Sequence, residues 1–190
     1  DERYPAERVI EDLEHDVRAF LFAFVHYRSC PIGGNATAER LLCIVLNERM
    51  EQALNRVFRR LALLYPPANI LAAYRGIVSE QPRHRGSALE YLENALQAPH
   101  ATLVLPLIDD RGDAARLRHA EARYGFRYVG YRETLGTILE EGDAWLKTCA
   151  LYVVGARRER ELLPVVEMSL GAREAHVRET AAWAFGLAAG

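Results

Sequence analysis

Arginine is the residue type through which this chain could do chemistry. Arg56, Arg59 and Arg60, then Arg83 and Arg85, then Arg157, Arg158 and Arg160 would form a phosphate-binding stripe if one groove collected them. Glu48, Glu51, Glu80, Glu159 and Glu161 are interleaved with them, and the net charge is −2, so the pattern is that of a mixed, solvated face. There is no strong nucleic-acid signal. Six histidines, His15, His26, His84, His100, His119 and His176, share no helical face, and no cysteine stands near one at ligand spacing. No metal and no cofactor are expected. Gly33-Gly34 lacks the Gly-Lys-Ser/Thr of a phosphate loop, and no Gly-x-Ser-x-Gly elbow is present. Cys30, Cys43 and Cys149 are odd in number and far apart, which fits three small buried hydrophobes in a reducing compartment better than disulfides. Asp109-Asp110 and Glu140-Glu141 close helical segments and read as caps or loop charges. No catalytic residue is expected.

The elements that must carry these residues are helical. Val9, Ile10, Leu13, Val17, Leu21, Phe24 and Val25 form one stripe, predicting a first helix over about residues 5–27. Residues 29–35, with a proline and a glycine pair, break it. A long second pattern runs from Thr37 to Tyr65, as one helix or as two meeting near Asn47. Residues 103–108 and 126–131 are the best strand candidates. They are short and isolated, and Pro106 argues against the first. The fold class read from this is all-α.

Repeats organise the rest. Residues 81–96, 143–158 and 174–189 align without gaps, bringing Arg85, Lys147 and Arg178 together three residues before Ala88, Ala150 and Ala181. The separations are 62 and 31 residues, so a degenerate copy is expected from about Gly112, over Asp113–Tyr124. Each period has room for a shorter second helix, at about 67–79, 99–109, 131–141 and 159–170. Pro67, Pro82 and Pro99 suit a first turn, where no amide hydrogen bond is lost. Pro106 and Pro164 lie further in and should bend or unwind their helices. The alanines allow close helix approach, and larger residues one turn later fill the seam. The cations are unfavourably placed for the helix dipole, so a partner is expected, such as Asp110 or Glu141 of an adjacent repeat. Trp145 and Trp183 are expected in the core or seam.

The segments Ala175-His-Val-Arg-Glu-Thr-Ala-Ala-Trp-Ala-Phe-Gly186 and Asp143-Ala-Trp-Leu-Lys-Thr-Cys-Ala-Leu-Tyr-Val-Val-Gly155, with Leu162-Leu-Pro-Val-Val166 between them, resemble the short bacterial HEAT-like repeat. The resemblance is strongest in the last third, weak over 112–131, and absent before Asn35. It implies a HEAT-like α-solenoid of stacked antiparallel helix pairs. An N-terminal helix and breaker loop (1–35) would precede about four pairs plus a terminal half-repeat (36–190). A narrower likeness, of residues 63–77 and 83–94, is to HEAT segments of bacterial proteins fused to a membrane domain related to ATP:ADP antiporters. That implies a cytoplasmic piece of a larger protein, tethered to the inner membrane through other segments, and the Asp at position 1 fits an excised fragment.

Three functions compete. A non-catalytic interaction or regulatory module would bind a protein partner or a sister domain, with Arg75, Arg132 and Arg160 as exposed contacts on the second helices. A HEAT-like DNA glycosylase needs a strongly positive groove with a catalytic acid. A phycobilisome-lyase-like protein needs a bilin site. The first requires no residue that is missing. Phe20, Phe22, Phe24 and Tyr27 make the first helix apolar on more than one face, which further residues of a longer chain or a second copy, in a homodimer, would cover.

Overall fold

The computed structural model describes residues 5–31, 37–109 and 112–190. Among them are ten α-helices and no strand: α1 Ala6–Ser29, α2 Thr37–Leu64, α3 Pro67–Ile77, α4 Pro82–Ala95, α5 Ala98–Ile108, α6 Asp113–Tyr124, α7 Tyr131–Glu141, α8 Ala144–Arg157, α9 Leu163–Ser169 and α10 Ala175–Ala189. The all-α reading holds, and residues 103–108 are helical. The breaker Gly33-Gly34, the boundary at residue 35 and the expected partner Asp110 lie outside the described residues. No helix among the described residues is long and apolar enough to cross a membrane.

Local sequence explains most helix boundaries. Pro67, Pro82 and Pro99 fall in the first turns of α3, α4 and α5, where an amide proton has no intrahelical acceptor anyway. Asp143 caps α8 by accepting from the backbone N–H groups of Trp145 and Leu146 at 2.9 and 3.0 Å. The pattern expected as one helix over 159–170 is split into a 3-10 turn, Arg160–Leu162, followed by α9. Pro164 therefore sits in a first turn, and the unwinding falls just ahead of it. Pro106 is inside α5, which ends two residues later at Ile108. The end of α8 is a Schellman turn: Glu159 N–H reaches Val154 O and Arg158 N–H reaches Gly155 O. Arg158 occupies the left-handed region at φ +54° that glycine usually fills there.

The chain divides into two compact units, one of Asp1–Val25 with Glu48–Arg127 and one of His26–Asn47 with Tyr128–Gly190. Two of the divisions fall inside continuous helices, α1 and α2, and α2 is one helix across Asn47. In the first unit α3 packs on α4, α4 on α5 and α5 on α6. Its core takes Leu13, Val17, Leu21 and Phe24 from α1, Ala53, Val57, Phe58 and Leu61 from α2, and Ile70, Leu92, Val104 and Ile108 from the shorter helices. The α1 positions recur at three and four residues, the period of one helical face.

In the second unit α7 packs on α8 and α9, and α10 on α8 and α9. Leu146, Cys149, Ala150, Leu151, Val153 and Val154 of α8 are buried, as are Val177, Ala181, Ala184 and Ala188 of α10. The helices approach closely where their residues are small. A Cβ built on Gly155 would stand 2.5 Å from the Trp183 ring and 2.9 Å from Ala184 Cα. In the first unit a Cβ on Gly76 would stand 2.6 Å from Ala88 Cβ.

Candidate functional site

The phased cations have a common task. Arg85 donates to Ile77 O at 2.5 Å and to Ile108 O at 2.8 Å, the last residues of α3 and α5. Lys147 donates to Glu140 O at 3.1 Å at the end of α7. Arg178 donates to Ala172 O and Arg173 O at 2.8 and 2.7 Å in the turn after α9. Carbonyls at a helix C-terminus have no intrahelical donor and carry the negative end of the dipole. A cation there satisfies them, and this offsets the cost of its own place in a first turn. Arg85, Lys147 and Arg178 are therefore structural clasps.

Arg116 belongs to the same series, 31 residues from both Arg85 and Lys147. It donates to Asp109 O at 3.4 Å just after α5, and pairs with Asp113 at 3.3 Å. Aligning segments does not find it, because His119, Ala120 and Arg123 hold the places of the neighbouring alanine and larger apolar residues. Ala88, Ala150 and Ala181 are all buried, as the repeat requires.

The three exposed arginines have different surroundings. Arg75, in the first unit, lies at the rim of a groove of about 540 Å³ between α3 and α4. Ala72, Ala73, Gly76 and Ala88 line this groove with small apolar surface, and His84 and Tyr91 flank it. In the second unit, Arg132 pairs with Glu159 at 3.1 Å and with Glu161. With Glu133, Glu140, Leu162 and Val165 it lines a more polar recess of about 650 Å³. Arg160 donates to Ala188 O at 3.2 Å and Gly190 O at 3.4 Å, and so caps α10.

Exposed aromatics mark a further surface of the second unit. Trp145 is 48% exposed and Trp183 42% exposed, so neither is a core residue, and Trp183 lies in the seam between α10 and α8, against Gly155. Trp183 stacks on Tyr152 at 5.2 Å and 25°. These two residues are one 31-residue period apart, so the repeat itself sets the stack. Trp145 precedes Tyr152 by two turns of α8 and lies on the same helical face.

A polar cluster in the second unit joins distant parts of the chain. Arg157 pairs with the buried Glu39 of α2 and with Glu159 at 2.8 Å, and its guanidinium lies 5.5 Å from the Tyr131 ring centre. Burial alone would raise the Glu159 carboxyl, but hydrogen bonds from Arg157 and Arg132 outweigh it and hold the group below its ordinary value. Burial, then the neighbouring Cys30 and Glu39, push the Tyr131 hydroxyl up. That hydroxyl is buried and has no hydrogen-bond partner among the described residues. Cys43 of α2, one turn after Glu39, is half-buried, and Cys30 is buried. Among the described residues no group of three His, Cys, Asp or Glu side chains could hold a metal ion.

Comparison of the chain with protein-family models, with curated proteins and with solved structures found no match.

Proposed function

We propose that this chain is a non-catalytic interaction or regulatory module of HEAT-like stacked helix pairs, the cytosolic part of a larger bacterial protein. The observation that carries the reading is the series Arg85, Arg116, Lys147 and Arg178. The four residues are spaced by one period, and each donates to backbone carbonyls at the end of a helix or in the turn that follows it. A helix pair exposes an apolar face it cannot bury alone, and a recurring clasp between successive pairs is what a stacked array needs. Such arrays spread affinity over several repeats.

The groove between α3 and α4 is the part of the surface best suited to a protein partner or sister domain. Its lining of small apolar side chains admits a partner's apolar segment, and Arg75 offers a cation to a carboxylate at the rim. Arg132 contributes a second contact in its own unit. Arg160 is left out of this surface because it caps α10.

The test uses a photo-crosslinking residue placed at Ser87, in the groove, in the cells that make the protein. A specific protein adduct is expected. Its yield should fall at least tenfold when Arg75→Glu is added, with helicity by circular dichroism unchanged. An adduct whose yield ignores Arg75→Glu would remove the groove from the proposal.

A further inference from the structure

Helices α8 and α10 stand one 31-residue period apart, so each residue of α8 has an equivalent in α10. Leu146, Ala150 and Val153 are buried in α8, and so are their equivalents Val177, Ala181 and Ala184 in α10. On the adjoining face the two helices differ. Leu151, Val154 and Gly155 of α8 are buried, whereas Ala182 and Gly186 of α10 are exposed and Phe185 is half-buried. α10 itself covers that face of α8. Trp183 and Ala184 approach Gly155 so closely that a Cβ there would clash with both, and the Trp183 ring stacks on Tyr152. Gly186 is the equivalent of Gly155, and a Cβ on it would meet nothing within 4 Å among the described residues. Trp183, the equivalent of Tyr152, stays half-exposed.

We propose that the face of α10 formed by Ala182, Trp183, Phe185 and Gly186 docks an α-helix of a partner protein, packed on α10 as α10 packs on α8. This docking face continues an interface that the structure contains, the α8–α10 seam, displaced by one repeat. It also gives Gly186 a purpose. Glycine inside a helix is destabilising relative to alanine, and at Gly155 that cost is offset by the close approach of α10. Within the described residues Gly186 admits no such neighbour, and a docked helix would supply one.

The seam specifies the partner's chemistry. Its helix carries an aromatic residue followed by alanine, as Trp183-Ala184 does, so that the ring meets Trp183 and the small side chain reaches Gly186. Its other inward positions are small or apolar at spacings of four, three and four residues, as Val177, Ala181, Ala184 and Ala188 are in α10. A second copy of this chain cannot offer its own α10 in that role, because those residues are buried where α10 packs on α8 and α9. The contact is heterologous: α10 meets α8 through one side and the partner through another.

The experiment uses the full chain and an isotope-labelled synthetic peptide of residues 174–190, the helix that the equivalent face of α8 accepts. The peptide carries a fluorophore, and a photo-crosslinking residue in place of Ala184. Saturable one-to-one binding is expected in fluorescence anisotropy. Gly186→Leu and Ala182→Glu should each weaken it at least tenfold with helicity by circular dichroism unchanged, since both positions are exposed. Gly86→Leu, at a glycine of α4 with equally open surroundings, should leave it unchanged. After irradiation and trypsin cleavage at Lys147, Arg157 and Arg178, the adduct is expected on 179–190. An adduct on 148–157 would mean that the peptide displaces α10, and would overturn the proposal. So would a lack of saturable binding, or binding that ignores both α10 variants. If one of those variants loses helicity, the other and the crosslink map of the unaltered chain decide.

Discussion

Helices α6 and α8 occupy equivalent places one 31-residue period apart, yet they are held by different forces. α8 buries Leu146, Cys149, Ala150, Leu151, Val153, Val154 and Gly155, whereas α6 buries Ala120 alone. Where α8 has Ala150, Leu151 and Val154, α6 has His119, Ala120 and Arg123. Polar and π contacts do the corresponding work in α6. The Arg116 guanidinium lies 4.9 Å from the Phe24 ring centre, Arg123 pairs with Glu14 at 2.7 Å, and Tyr124 stacks near Phe126 at 5.7 Å. Only the clasp of a first-turn cation to helix-end carbonyls is common to both. The repeat can thus lose its apolar seam and keep its register, because the clasp satisfies backbone groups that every helix end leaves open.

The difference can be broken most directly at Leu151, which is fully buried. Leu151→Ala should cost on the order of 2–5 kcal/mol as a core truncation, read as a lowered urea midpoint. An unchanged midpoint would contradict the apolar seam of α8. Buried His26 and half-buried His119 come next. Burial lowers His26 from 6.5 to about 4 and lowers His119 in direction, with Arg123 a second cause for His119. A base with a depressed folded value favours its neutral form, so the stability it provides is full above about pH 6.5 and is lost as the pH falls toward 4. At 1.36 kcal/mol per unit, His26 accounts for a loss on the order of 3 kcal/mol. His26→Leu should flatten the larger part of that slope in denaturation measured from pH 7.5 to 4.5, and His119→Ala a smaller part. Equal slopes in all three proteins would show that neither ring is held neutral.

Arg116→Met keeps most of the side chain's length while removing the clasp and the cation over Phe24. A loss of about 1–2 kcal/mol is expected from a charge-assisted hydrogen bond and a cation–π contact together. Hydrogen exchange at the end of α5 should speed up in that variant, and unaltered protection there would detach Arg116 from the series. The smallest effect is expected at Arg123→Ala. Its ion pair with Glu14 is partly exposed, so about 0.2–1 kcal/mol is expected at low salt, and less in 1 M salt. A cost that grows with salt would mean the side chain acts through packing.

Much of this architecture was legible from residue order. Apolar spacing located α1 and α2, and prolines located the starts of α3, α4 and α5. The alignment of Arg85, Lys147 and Arg178 pointed to a copy at Asp113–Tyr124, where α6 lies. Less was legible where identity and environment diverge. Trp145 and Trp183 have core-type side chains but stand half-exposed. The expected acidic partner Asp110 lies outside the described residues, and the contacts of Arg85, Lys147 and Arg178 include backbone carbonyls, which no sequence pattern marks. The surface arginines look alike in sequence, although Arg75 borders a groove, Arg132 is ion-paired and Arg160 caps a helix.

The order of residues alone determined where the helices lie and that they recur every 31 residues, because helix formation and capping depend on neighbours within about one turn. Only the tertiary structure decided which groups meet across the chain. Arg157 reaches Glu39 over 118 residues, and Arg123 reaches Glu14 over 109. These meetings depend on how packed helix faces bring distant positions within a few ångströms, and local periodicity carries no such distance.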